Sequence, residues 1–149
     1  MEAMIESFSG IPAGANQSPH TLTIRFDAEV DRVVIIDQTR LPHECVEVEL
    51  KTSADACHAI SSMQVRGAPL IGVTAAFGVY LGLRGKDDET ARSLSASVIE
   101  ALAATRPTAI NLRWALDKIE TRLARCEKNV AEIALQAALE LHAEDINAC

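Results

Sequence analysis

Two hydrophobic periods divide the chain: alternation or short β-branched runs as far as Leu50, then recurrence at every third or fourth position. Thr21-Leu22-Thr23-Ile24-Arg25-Phe26 alternates polar and apolar residues, and Arg32-Val33-Val34-Ile35-Ile36-Asp37 is a β-branched run. Val46-Glu47-Val48-Glu49-Leu50 sets its glutamates on one face, so three strands are expected, joined as a small antiparallel meander. Thr52-Ser53-Ala54-Asp55 has the spacing of a capping box, opening a helix to about Gln64 with Ala56, Ile60 and Met63 on its apolar side. Pro69 suits the first turn of a second helix. Its run from Leu70 to Leu83 is broken only by Thr74, Tyr80 and three glycines, so it should be buried on all sides and end near Gly85. Asp87 and Asp88 cap a third helix carrying Leu94, Val98 and Leu102. Pro107-Thr108 opens a fourth with the stripe Leu112, Leu116, Ile119, Leu123. Asn129 with Glu132 caps a fifth, with Val130, Ile133, Ala137 and Leu141 inward. The expected class is α+β: a small N-terminal antiparallel β-meander followed by a bundle of about five helices.

Residues 1–19, rich in Ser, Gly, Pro and Asn, read as a flexible arm. Residues 20–149 then form one domain, with strands within 21–50 and helices within 52–148. The apolar run after Pro69 is shorter than the ~18–20 residues a bilayer helix needs, so no membrane partner is expected. Aromatics are 3% of the residues, so the core must be aliphatic. The net charge is -7 and no Lys/Arg cluster stands out, which argues against nucleic acid as a partner. Cys45, Cys57, Cys126 and Cys149 include no Cys-x-x-Cys pair and no zinc spacing, so no metal is expected. The first residues lack the charged-then-apolar order of a signal peptide, which points to the cytoplasm and free thiols.

The candidate chemistry is anion binding. In Val65-Arg66-Gly67-Ala68-Pro69 an arginine precedes the N-terminus of the buried helix, where free amides and a guanidinium suit a phosphate or another oxyanion. Thr105-Arg106-Pro107-Thr108-Ala109-Ile110-Asn111 repeats the arrangement, and two arginines at two helix N-termini can converge on one polyanion. Taken singly, each arginine reads more readily as a turn residue meeting solvent or a surface carboxylate, and Asn111 reads equally as a satisfier of helix-start backbone. No general base emerges: His20, His43, His58 and His142 each sit in an ordinary context, and Cys45 and Cys57 read as small hydrophobes. These residues alone give an anion-binding domain with no catalytic residue.

Three ordered stretches resemble the methylthioribose-1-phosphate isomerases of methionine salvage, within the initiation-factor 2B-like superfamily. They are Val34-Ile35-Ile36-Asp37-Gln38 with Leu41-Pro42, then Val65 through Gly72, then Arg106 through Leu112 with Trp114-Ala115-Leu116. The resemblance implies an N-terminal domain of an enzyme that converts 5-methylthioribose 1-phosphate to 5-methylthioribulose 1-phosphate without a cofactor. It carries substrate binding onto Arg66, Gly67, Ala68 and Arg106. It also implies a C-terminal Rossmann-like domain holding the catalytic Cys and Asp, and a homodimer. Nothing here matches the Thr-x-Cys-Asn-x-Gly-type segment around that cysteine, and neither Cys149, Asp145 nor Asp37 inherits a catalytic role. The chain is therefore expected to be the N-terminal part or a truncated form, binding sugar phosphate but inactive alone and leaving an apolar face where a second domain would pack. The alternatives are a non-catalytic regulatory module like the translation-initiation exchange-factor subunits, and a ribose-1,5-bisphosphate isomerase.

Overall fold

A computed structural model describes residues 23–148. The arm at 1–19, His20, the start of the first expected strand and Cys149 lie outside the described residues. Strands β1 (Ile24–Asp27), β2 (Arg32–Ile36) and β3 (Glu47–Leu50) form an antiparallel sheet in the order β1-β2-β3. The register sets Ile24 opposite Ile35, and Val33 opposite Leu50, so the alternating apolar residues share one face. On the other face Arg25 reaches Glu47 at 2.8 Å, from β1 to β3 across the central strand, while Val34 and Ile36 beneath are buried. One turn of 3-10 helix, Gln38–Arg40, and a cis Leu41–Pro42 bond follow β2.

Five helices follow: α1 (Ser53–Ser61), α2 (Ala68–Leu83), α3 (Asp88–Ala104), α4 (Ile110–Arg125) and α5 (Val130–Ala148). The α+β class of meander then bundle is as the two periods imply. The capping box forms as its spacing requires: Asp55 N–H donates to Thr52 Oγ1 and the Asp55 carboxylate accepts from Thr52 N–H. α1 ends at Ser61, short of Gln64, because Met63 turns the chain away at φ 67° and stays largely exposed instead of joining the apolar side.

α2 is the axis of the bundle and packs against all four other helices. Its glycines are where neighbours come closest. A Cβ on Gly72 would lie 3.1 Å from the Asn111 carbonyl oxygen; one on Gly78 would lie 2.8 Å from Ala56 Cβ; one on Gly82 would lie 3.0 Å from the Val98 methyls. These contacts fix direction. Gly78 meets Ala56 and Leu102 while Gly82 meets Ser53 and Val98, so α1 and α3 run opposite to α2. The sheet joins through Phe26, stacked on Phe77 at 5.9 Å and edge-on to Tyr80, whose hydroxyl donates to Asp31. Tyr80 is pushed up to about 12, first by burial and then by that carboxylate.

Three caps differ from the expectation. Only Asp87 caps α3, accepting from Thr90 N–H; Asp88 instead accepts from the Asn129 and Val130 amides at the start of α5. Asn129, at φ 59°, contributes its carbonyl to Ile133 N–H rather than a capping side chain. One turn on, Arg92 donates to the carbonyls of Leu123 and Cys126, so two α3 residues hold the α4–α5 corner at both ends. In α5 the buried face is Val130, Ala134, Ala137, Ala138 and Leu141, with Ile133 only partly covered. α4 starts at Ile110, three residues beyond Pro107. Residues 106–109 form a turn closed by Ala109 N–H to the Arg106 carbonyl, so Pro107 is not in the helix's first turn.

Candidate functional site

The N-terminal end of α2 starts without a side-chain cap. Gly67 stands at its N-cap with φ 98°, a left-handed conformation that favours glycine, and no side chain caps the helix. The first bond into the helix runs from Ile71 N–H to the Gly67 carbonyl at 3.0 Å. Pro69 has no N–H, so Ala68 and Leu70 supply the amides left for an outside acceptor. Arg66 lies exposed beside them. The helix dipole and those amides favour an anion here.

Arg106 belongs to the same end. α3 runs opposite to α2 and so finishes near where α2 begins, and α4 starts there with Asn111 packed on Gly72. Arg106 sits half-buried in the turn between them. Among the described residues, Arg25, Arg32, Arg40, Arg84 and Arg122 are ion-paired and Arg92 holds carbonyls. Arg66 and Arg106 have neither kind of partner. Arg113, in the first turns of α4, is likewise uncommitted and was not singled out by sequence pattern, because an exposed arginine on an amphipathic helix carries no local signal.

A cleft of about 200 Å³ opens at this end, between the first turns of α2 and α4 and the last turns of α5. Ala68, Pro69, Val73, Trp114 and Leu141 give it an apolar wall; Glu144 and Asp145 give it an acidic rim. Of the four residues expected to bind substrate, only Ala68 lines this cleft. Gly67 caps the adjoining helix, and Arg66 and Arg106 lie outside the lining. Asn111 lines it, with its backbone already against Gly72. Trp114 is half-exposed under the Lys118 ammonium at 4.8 Å, and Ile110, four residues before it, is 80% exposed.

Among the described residues the histidines and cysteines add no nucleophile–base pair. Burial pushes the Cys57 thiol up, away from thiolate, and Cys126 donates to the Leu123 carbonyl. His142 packs edge-on to Phe77, and burial holds it below the ordinary imidazole value, with Asp145 opposing. Among the described residues no group of three His, Cys, Asp or Glu could hold a metal, and no helix is long and apolar enough to cross a membrane.

Residues 64–149 match the model of the Initiation factor 2 subunit family. The chain is 50% identical over 128 residues to the methylthioribose-1-phosphate isomerase of Sinorhizobium medicae, covering 85% of this chain and 34% of the relative. It is 45% identical over 124 residues to the same enzyme of a Nostoc species, covering 78% and 35%. The chain thus spans about a third of the length of the curated relatives it matches. Among solved structures it is similar to translation initiation factor eIF-2B subunit delta from A. fulgidus, with TM-score 0.77 and 31% identity over 84% of this chain and 37% of that one. It is also similar to 5-methylthioribose 1-phosphate isomerase from Pyrococcus horikoshii, with TM-score 0.73 and 30% identity over 87% and 39%.

Proposed function

The chain belongs to the Initiation factor 2 subunit family, and on that premise we propose that its α2 end is the phosphate-side wall of a methylthioribose-1-phosphate isomerase site. The observation that carries the reading is the uncapped N-terminus of α2, with the Ala68 and Leu70 amides open beside an unpartnered Arg66. Arg106, uncommitted at the same end, adds a second guanidinium for a phosphate or sugar hydroxyl. Gly67 contributes the backbone turn, and Ala68 keeps the approach free of a bulky side chain.

The reaction moves hydrogen between C1 and C2 of a sugar whose anomeric oxygen is phosphorylated, so it needs a proton donor and acceptor within hydrogen-bond reach. Among the described residues the carboxylates at the α2 end are Glu144 and Asp145, which rim the cleft from α5, and neither is assigned that role. In this reading the chain binds and orients the phosphate, while the proton transfer belongs to the part of the relatives' length that it does not span, in a cytoplasmic enzyme of methionine salvage acting as a homodimer. Sugar phosphate is the ligand; nucleic acid, membrane and cofactor have no part. Incubating the purified chain with 5-methylthioribose 1-phosphate should give saturable binding without measurable ketose. Turnover at the rate of a complete relative would overturn the division of labour.

A regulatory reading is favoured by one observation, the likeness to the initiation-factor subunit at TM-score 0.77. Calorimetric titration separates the two: the isomerase reading requires the sugar phosphate to bind in preference to nucleotides, and the regulatory one does not. Competition by ribose 1,5-bisphosphate tests the related isomerase.

A further inference from the structure

Arg66 stands on a short segment between two helices, and its upstream end is held from both sides: the Ala59 carbonyl of α1 accepts from the Gln64 and Val65 amides, and the residues after β2 hold Gln64 from the sheet. Gln64 is gripped twice by consecutive residues that follow β2. Its carbonyl accepts from Gln38 N–H at 2.8 Å, and its side-chain Nε2 donates to Asp37 Oδ2 at 3.1 Å. Asp37 is the one buried carboxylate among the described residues, 6% exposed. Its other oxygen accepts from the backbone N–H and the hydroxyl of Thr39. Those Thr39 bonds come first among the causes that hold its carboxyl below the usual range. Val65 follows Gln64 and is fully buried; Gly67, two residues further on, is fixed by the Ile71 amide. Arg66 is thus the single residue between a fixed Val65 and a fixed Gly67, a span of two Cα–Cα steps. With Cα atoms ~3.8 Å apart, that leaves its backbone little freedom to drift.

We propose that Asp37 and Gln64 are a positioning pair that aims Arg66 and the Gly67–Ala68 turn at the phosphate, an inference that rests on reading the α2 end as the phosphate wall. The chemistry is a charge-assisted hydrogen bond, in which a buried carboxylate whose remaining donors are local reaches across to a residue of the segment linking α1 to the site. Asp37 touches no ligand in this account. Its effect passes through Gln64.

The test uses the whole chain and reads hydrogen exchange beside affinity for inorganic phosphate and for 5-methylthioribose 1-phosphate. Gln64→Glu sets two carboxylates face to face, and Asp37→Asn in that background restores a donor opposite an acceptor. Gln64→Glu should speed exchange at the Gln38 and Val65 amides and weaken phosphate affinity about tenfold, the loss of one hydrogen bond to a charged group. The double variant should recover most of both. Gln64→Met, which removes the donor without adding charge, should act in the same direction if Gln64→Glu does not fold. Unchanged exchange in the single variants overturns the clamp, and faster exchange with unchanged affinity overturns the positioning role. If wild-type protein protects these amides yet binds neither phosphate, the reading of the α2 end fails and the positioning role falls with it.

Discussion

Gly78→Ala places one methyl group where α1, α2 and α3 meet. The new Cβ would lie 2.8 Å from Ala56 Cβ and 3.0 and 3.3 Å from the Leu102 methyls. Carbon atoms in good contact sit ~3.5–4.0 Å apart, so the first gap is too small by roughly 1 Å. Ala56 is fully buried and has no rotamer to change, so α1 itself must move away from α2. Overpacking of this kind costs about 1–3 kcal/mol. Alanine over glycine in a helix interior returns about 1 kcal/mol. The 2.8 Å gap against an immovable Cβ puts the cost at the upper end of that range, so the net loss should be about 2 kcal/mol, or ~4–8 °C in Tm for a domain of this size. Gly82→Ala is the control, because it meets the methyls of Val98 at 3.0 Å, a half-buried side chain that can rotate, and the fixed Ser53 Cβ only at 3.2 Å, against 2.8 Å at Ala56. There the helix-propensity gain offsets the crowding. Urea unfolding followed by circular dichroism compares the two, and Gly78→Ala as stable as Gly82→Ala would refute the packing account.

Arg92→Ala removes the donors that hold the Leu123 and Cys126 carbonyls, and should lower stability by about 1 kcal/mol after discounting for exposure. Exchange at the α4–α5 corner should rise with it, and an unchanged unfolding midpoint would remove Arg92 from that role. For His142 burial lowers the folded-state pKa, so the unfolded chain takes up a proton first as pH falls. Its penalty is absent above the unfolded value of about 6.5 and grows as pH drops from there to the folded value. His142→Phe should flatten that part of the stability profile in urea melts, whereas an unchanged slope would show that the imidazole is not desolvated. Asp37 works oppositely: its depressed pKa stabilises the fold at neutral pH, and that contribution is lost as pH falls from about 3.9 through the folded value. Asp37→Asn should therefore flatten the acid limb alone.

The elements were legible in the sequence wherever hydrophobic period and capping chemistry agree. The Thr52–Asp55 box, the all-apolar run of α2 and the Leu112–Leu123 stripe each specify one local structure, and each is found. Errors fell where a distant partner decides. Asp88 looks like a cap for its own helix but caps α5, because α3 passes the α4–α5 corner. Pro107 suits a turn as well as a first helical turn, and the Ala109–Arg106 bond selects the turn, so α4 starts later than the proline implies. At the site, the Arg66-Gly67 corner is legible from its local motif, an arginine ahead of a proline-opened apolar run, but its tether to Asp37 is not. That contact joins residues 27 positions apart, and no local pattern announces it. The acidic rim of the cleft, from the far end of α5, was hidden for the same reason.

The central claim is that the uncapped α2 terminus beside Arg66 binds phosphate, and amide-resolved NMR titration tests it most directly. With inorganic phosphate and then 5-methylthioribose 1-phosphate, the Ala68 and Leu70 amides should shift saturably, and Arg66→Gln should weaken both responses. Saturable shifts confined to other amides, or no saturable shift at Ala68 and Leu70, would contradict it.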